Sequence, residues 1–267
     1  MNRIFLLTGK AERGIISPLF GLCGRAVSFF IHLQDTLVFM AFIVLLIIGL
    51  SLVPSFAFAW GPLTHMYLGN EIFAYGPLIP AGIFALIKKY RQDFLYGNLM
   101  ADSIIGKKYL PDDKSSHSWD VAIRLLSHAE KDAEKAFAYG YLSHLAADTV
   151  AHEILTEDMR NMEHTWAELK ADSMIKKSYW IQSVTFSRAV QKRNDLFMES
   201  SLDRFLFSYK TNKRIYKSVV FLSFLNKKRK RALDRDHLHK LHFESIARTL
   251  DLFENGVEAS VLEKSPL

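Results

Sequence analysis

The residues of this chain best suited to chemistry lie between Gly140 and Glu153. There His144, Asp148 and His152 follow one another at steps of four. On an α-helix each such step turns the chain about 400°, so the three side chains share one stripe. Leu142, Leu145, Ala146 and Val150 give the same segment an apolar body. Two imidazoles and a carboxylate in a row on a core helix would cost on the order of several kcal/mol if they stood unpaired. A bound cation removes that cost, because neutral imidazole and ionised carboxylate are both metal donors. A second set follows at once: in Glu163–Glu168, His164 and Glu168 are again four apart. A single His on an apolar face is ordinarily a hydrogen-bonded core residue, but two donor sets in succession point to metal. The chain has one cysteine, Cys23. That excludes an intrachain disulfide and a thiolate zinc finger, so any metal is held by His, Asp, Glu or backbone atoms.

The elements that must position these donors read as helices. His65 is expected to open a helix through Tyr67, Leu68, Ile72 and Phe73 that breaks at Gly76-Pro77. A second is expected over Pro80–Tyr96, with Ile83, Leu86 and Ile87 on one side. Gly97–Asp102 reads as a turn leading to an acid, and Pro111–Ser118 as a polar loop carrying His117. Asp120–Ala138 is amphipathic through Val121, Leu125, Ala129 and Phe137, and residues 156–176 carry His164 and Glu168 on a further helix. With seven prolines, few alternating apolar runs and no internal repeat, the expected fold is all-α, a compact multi-helix bundle.

The 267 residues are 49% apolar and 23% charged, which is enough for one sizeable domain and does not suggest disorder. The net charge of +6 suits an anionic partner, a phospholipid surface or a nucleic acid, without choosing between them. Thr36–Ala59 has no charge, Val38–Val53 is almost wholly apolar, and Arg3, Lys10, Arg13 and Arg25 precede them. This reads as a signal peptide or a membrane anchor. Ala57 and Ala59 supply the small residues of a cleavage site, and a cut after Ala59 leaves Trp60 at the new N-terminus of an exported, periplasmic or secreted protein. The alternative is an uncleaved anchor through residues 36–59, and Met40 is an alternative start. The expected organisation is thus a basic leader over 1–59 and a helical domain over 60–267. Lys210–Arg235 is rich in cations, including Lys227–Arg231 just after Phe224 and Leu225. It reads as a helix end and solvated loop, with an interfacial lipid-binding segment as the alternative. His237, His239 and His242 have no acid in a matching frame and are expected at the surface. His128 reads as structural, and Asp93, Asp112 and Asp113 as solvated or capping.

Taken together, these residues resemble the zinc-dependent phospholipase C family, whose fold single-strand nucleases share. The family pattern is an N-terminal Trp, a His, a distant Asp and His, H-x3-D, a further His, and H-x3-E or H-x3-D. The chain supplies Trp60 and His65, Asp102 and His117, His144 with Asp148, His152, and His164 with Glu168, a match that spans residues 60–168. The resemblance implies three zinc ions. Asp102, His117, His144 and Asp148 would hold one. The free amine and carbonyl of Trp60, with His65 and a bridging Asp148, would hold the second. His152, His164 and Glu168 would hold the third. It also implies that Asp102 orients or deprotonates a water that attacks phosphorus in line, giving diacylglycerol and a phosphorylated head group. Trp119, Trp166 and Tyr141 would line the pocket or belong to the core. Glu153 and Glu163 would accept from imidazole N–H groups or face solvent.

The step from Asp148 to His152 is shorter than in the secreted phospholipases and nucleases and resembles the glycosylphosphatidylinositol-specific phospholipase D branch. The segment from Asp102 to His117 lacks the aromatic-rich region of a nuclease. The resemblance implies a phospholipid or membrane surface as substrate, with nucleic acid as the alternative. The alternatives are a single-strand nuclease on the same metals, and a membrane-tethered, non-catalytic protein whose helices zinc stabilises. No protein partner is implied.

Overall fold

The computed structural model describes residues 60–104, 115–155, 161–202, 208–225 and 234–266, with 161–166 and 222–225 described by their backbone alone. The expected leader over 1–59, Asp112, Asp113 and the cation run Lys227–Arg231 lie outside these residues. Within them every element is a helix. The helix α1 (Pro62–Glu71) runs into a 3-10 segment (Ile72–Leu78) and is followed by α2 (Ala81–Lys89) and α3 (Arg91–Met100), which continues into a 3-10 turn (Ala101–Ser103). Then come α4 (Trp119–His128) and α5 (Asp132–Val150), which passes into a π-helical turn (Ala151–Leu155). The rest is α6 (Asn161–Met174), α7 (Ser178–Val184), α8 (Arg188–Ser201), α9 (Tyr209–Leu225) and α10 (Arg235–Asn255), with two short 3-10 turns (Gly256–Glu258 and Ser260–Glu263) after it. No helix among the described residues is long and apolar enough to cross a membrane.

The centre of the bundle is α5, which is buried on nearly every side, its polar stripe included. Helices α3, α4 and α10 pack about it. Its crossing with α3 is unusually close, and two glycines permit it. A Cβ on Gly97 would lie 2.0 Å from the Phe137 carbonyl oxygen, and one on Gly140 would lie 1.9 Å from the Phe94 carbonyl oxygen. Backbone therefore meets backbone, with Phe94, Phe137, Tyr141 and Leu145 fully buried around the crossing. That contact sets the distance from α3 to the polar stripe of α5.

Several expected boundaries differ. The helix α1 begins at Pro62 rather than His65, since proline at the first position needs no N–H partner and has its φ already set. The single helix expected over Pro80–Tyr96 is two, parted at Tyr90 (φ −109°, ψ 43°). The break lets the buried α3 enter the core while the largely exposed α2 stays outside. The amphipathic stretch Asp120–Ala138 is also divided. Ser118 caps α4 by accepting from the Val121 N–H at 3.3 Å, and the Glu134 carboxylate accepts the Lys131 N–H at 3.1 Å to start α5 afresh. Gly97–Met100, expected in a turn, is the last turn of α3.

Two polar residues also sit elsewhere than expected. Asp93 is 1% exposed and accepts from Arg193 Nε at 2.6 Å and Asn194 Nδ2 at 2.7 Å, which ties α3 to α8. His242 is buried rather than on the surface: its ring lies edge-on to Trp60 at 5.3 Å. Burial pushes its pKa down to about 4, so it is neutral. Both partners are distant in sequence, so no local pattern marks either residue. His237 and His239 are exposed.

Candidate metal centre

Three segments bring four donors to one point. Asp102 sits in the 3-10 turn that ends α3, His117 in the loop that leads into α4, and His144 and Asp148 one turn apart on α5. Their ligating atoms all lie within 4.8 Å of one another, and all four residues are buried. Nε2 of His117 is 3.1 Å from Asp102 Oδ1, 3.1 Å from Asp148 Oδ2 and 3.1 Å from Nε2 of His144. Nε2 of His144 is 3.1 Å from Asp148 Oδ2.

The hydrogen bonds around these rings say what the cluster needs. Nδ1 of His144 is 2.8 Å from the Asn98 carbonyl, which only accepts, so the ring proton is on Nδ1. A neutral His144 then aims the Nε2 lone pair at two carboxylates and another imidazole. Such an arrangement requires a positive charge at its centre, either a proton or a cation. Without metal the proton takes that place. Burial pulls the His144 pKa down, but Asp148 and Asp102 outweigh it and raise it to about 9. Burial likewise opposes the charge on Asp148, yet His144 and His65 hold its pKa well below the usual carboxylate range. Two imidazole nitrogens and two carboxylates, with the Asn98 carbonyl orienting a ring from behind, are a donor set that fits Zn²⁺.

The other oxygen of Asp148 is also engaged. Nε2 of His65, from α1, lies 3.0 Å from Oδ1. The backbone N–H of Trp60 donates to the same oxygen at 3.3 Å, and the Trp60 indole N–H donates to the Ala147 carbonyl at 2.9 Å. The His65 ring stacks on His144 with centroids 3.7 Å apart. Burial, then the neighbouring His144, lowers the His65 pKa, which keeps its ring neutral. Asp148 thus faces two groups with two oxygens, in the manner of a bridging carboxylate.

The remaining candidates are placed differently. His152 falls in the π-helical turn, half-buried, and lines a groove of about 550 Å³ with Glu153, Glu263 and Lys264. Glu168 is buried on α6. Neither belongs to the four-residue group, and the side chains of His164, Glu163 and Trp166 lie outside what the structure describes. Glu153 pairs with Arg248 at 2.6 Å and Lys264 at 2.7 Å, so its acceptors serve cations rather than an imidazole. Tyr141 is core, and its hydroxyl donates to the Ser116 carbonyl, which fixes the loop bearing His117. The Trp119 indole N–H donates to the Lys264 carbonyl at 2.8 Å. His128 is exposed at the end of α4.

Sequence reasoning missed Asp172. It is 1% exposed and accepts from the Thr64 N–H at 2.8 Å and the Thr64 hydroxyl at 3.2 Å. It thereby closes the N-terminus of α1, the helix that carries His65. Burial raises its pKa to about 6, against the hydrogen bonds from Thr64. The signal was present, since His164, Glu168 and Asp172 continue one stride of four. The Asn98 carbonyl left no signal, because any residue type presents one.

A model of the family described as zinc dependent phospholipase C matches residues 64–216, more than half of the chain. No curated protein and no solved structure matches.

Proposed function

From this chain's membership of the zinc-dependent phospholipase C family, we propose that it hydrolyses phospholipids to diacylglycerol and a phosphorylated head group. The observation that carries the reading is the buried convergence of Asp102, His117, His144 and Asp148 inside the matched segment. These four would hold one zinc. Trp60 and His65, which both face Oδ1 of Asp148, would hold a second with it. His152, His164 and Glu168 would hold a third. When bound, zinc lowers the pKa of a coordinated water and neutralises charge on phosphate oxygens.

The chain's own groups do the rest. Asp102 orients the attacking water and accepts its proton. The water oxygen bonds to phosphorus, the bond from phosphorus to the glycerol oxygen breaks, and that oxygen takes up a proton. The Asn98 carbonyl keeps His144 in the tautomer whose Nε2 faces the centre. We also propose that cleavage after Ala59 exports the domain and completes its site. An amide nitrogen at Trp60 has no available lone pair, whereas the freed amine would have one. The 3.3 Å from this nitrogen to Asp148 supports the proposal.

The test takes the exported protein, records its intact mass and zinc content, and assays phosphatidylcholine vesicles for diacylglycerol. About three zincs, a mass starting at Trp60 and diacylglycerol release are expected. Mononucleotides from single-stranded DNA without diacylglycerol would make it a nuclease. Zinc without turnover, on a chain that keeps residues 36–59, would make it a tethered structural protein.

A further inference from the structure

The hydroxyl of Tyr216 is unaccounted for by anything above. The residue stands in the middle of α9 and is 2% exposed. Its oxygen has no hydrogen-bond partner among the described residues. A buried hydroxyl without a partner destabilises a fold, and native proteins keep few of them. The helix that carries it packs against the 3-10 turn holding Asp102, against α1 with His65, and against α6 with Glu168 and Asp172. Burial, followed by the charges of Asp102, Asp172 and Asp148, holds the Tyr216 pKa well above the ordinary tyrosine value. The group therefore stays a phenol and offers a hydrogen rather than a charge.

The hydroxyl pairs with none of the neighbouring acceptors. Both oxygens of Asp148 face the histidines and Trp60, and Oδ1 of Asp172 serves Thr64. What the hydroxyl lacks is an acceptor brought in from outside. At a centre built to hold cations, that acceptor is an oxygen of an anion. We propose that Tyr216 is a further catalytic residue, whose hydroxyl donates a hydrogen bond to a non-bridging oxygen of a phosphate group held at the Asp102–His117–His144–Asp148 centre. The proposal rests on the phosphodiesterase reading for its substrate. It rests on burial, the unmatched donor and the packing of α9 for its position. No motif pointed to this residue, since it lies 48 positions beyond Glu168 and carries no recognisable spacing.

The experiment compares zinc-loaded wild type with Tyr216→Phe, which deletes the oxygen and keeps the ring. Inorganic phosphate binding is measured by calorimetry, Tm by melting, and turnover on phosphatidylcholine vesicles. The variant is expected to bind phosphate about 10- to 100-fold more weakly, the worth of a hydrogen bond to a charged group. Its kcat should fall by a similar factor at unchanged zinc content. Its Tm should rise, because the unmatched hydroxyl is gone. Equal phosphate affinity in the two proteins, or no phosphate binding by wild type, would overturn the proposal. A lower Tm in the variant would also overturn it, by showing that the hydroxyl is satisfied within the fold. If wild type binds phosphate better than the variant yet hydrolyses no phospholipid, the phosphate contact of Tyr216 stands and the phospholipase reading falls.

Discussion

The two ends of the polar stripe on α5 are built in opposite ways. At one end His144 and Asp148 are sealed at 0% exposure and met by His117, Asp102 and His65 from three other segments. At the other end the α-helix gives way to a π-helical turn, and His152 lies half-buried beside a groove. The next residue, Glu153, is exposed and held by the ion pairs of Arg248 and Lys264. A step of four keeps residues on one stripe only while the helix keeps its period, and a π turn changes that period. At the sealed end His144 is held from behind by the Asn98 carbonyl, and Asp148 meets Trp60 and His65 with its other oxygen. The open end is held by charges that water can replace.

The contrast can be broken most sharply at Asp148. Asp148→Asn removes the carboxylate that serves both halves of the centre. Zinc affinity should fall by more than about 100-fold, and turnover should be lost with it. Competition against a chromogenic chelator reads this directly, and an affinity within tenfold of wild type would end the idea of a shared ligand.

The next effect lies behind the cluster. Gly140→Ala places a Cβ against the Phe94 carbonyl oxygen and forces α3 and α5 apart. A loss of about 3 kcal/mol is expected from denaturant melts, at the upper end of ordinary overpacking. It should be accompanied by weaker zinc binding, because Asn98 and Asp102 move away with α3.

A pH experiment sharpens the sealed end further. In zinc-free protein the pKa of His144 is about 9, raised from the ordinary 6.5. For a raised His, the stabilisation is complete below about 6.5 and is lost as pH rises through about 9. Zinc uptake at pH 7.5 must displace that proton, so about one proton should be released per cluster filled. Calorimetry in two buffers of different ionisation enthalpy counts it. No release would mean that His144 was already neutral.

Smaller effects follow. Asp172→Ala removes the cap on α1 and should cost about 1 kcal/mol while loosening His65. Asp172→Asn, which keeps the acceptor oxygen, should restore most of the loss. Lys264→Ala, at the open end, should change stability by less than about 0.5 kcal/mol and leave zinc content unchanged. A larger loss there would show that the open end is no looser than the sealed one.

The helical class was legible because few prolines and three- and four-residue apolar spacing act locally. The breaks at Tyr90 and at Ala129–Lys131 were not, because both segments are helix-compatible and only the burial of α3 and α5 rewards interrupting them. Asp93 read as a solvated acid because its partners Arg193 and Asn194 lie about a hundred residues away. His242 read as a surface residue because nothing near it announces Trp60. In the candidate site, the adjacency of His144 and Asp148 was written in the helix period. Their distance from Asp102 and His117 was not.

The sequence by itself determined which donors exist, that they are nitrogen and oxygen rather than sulfur, and which pairs share a helix face. Those are matters of residue type and of a backbone period that needs no tertiary contact. Tertiary structure alone decided that Asp102 and His117 reach the α5 stripe, that both oxygens of Asp148 are used, that the Asn98 carbonyl orients His144 and that Asp172 caps the helix bearing His65. The physical reason is the close crossing of α3 and α5 at Gly97 and Gly140. It brings two helix backbones into direct contact, a separation that long-range packing fixes and no local pattern encodes.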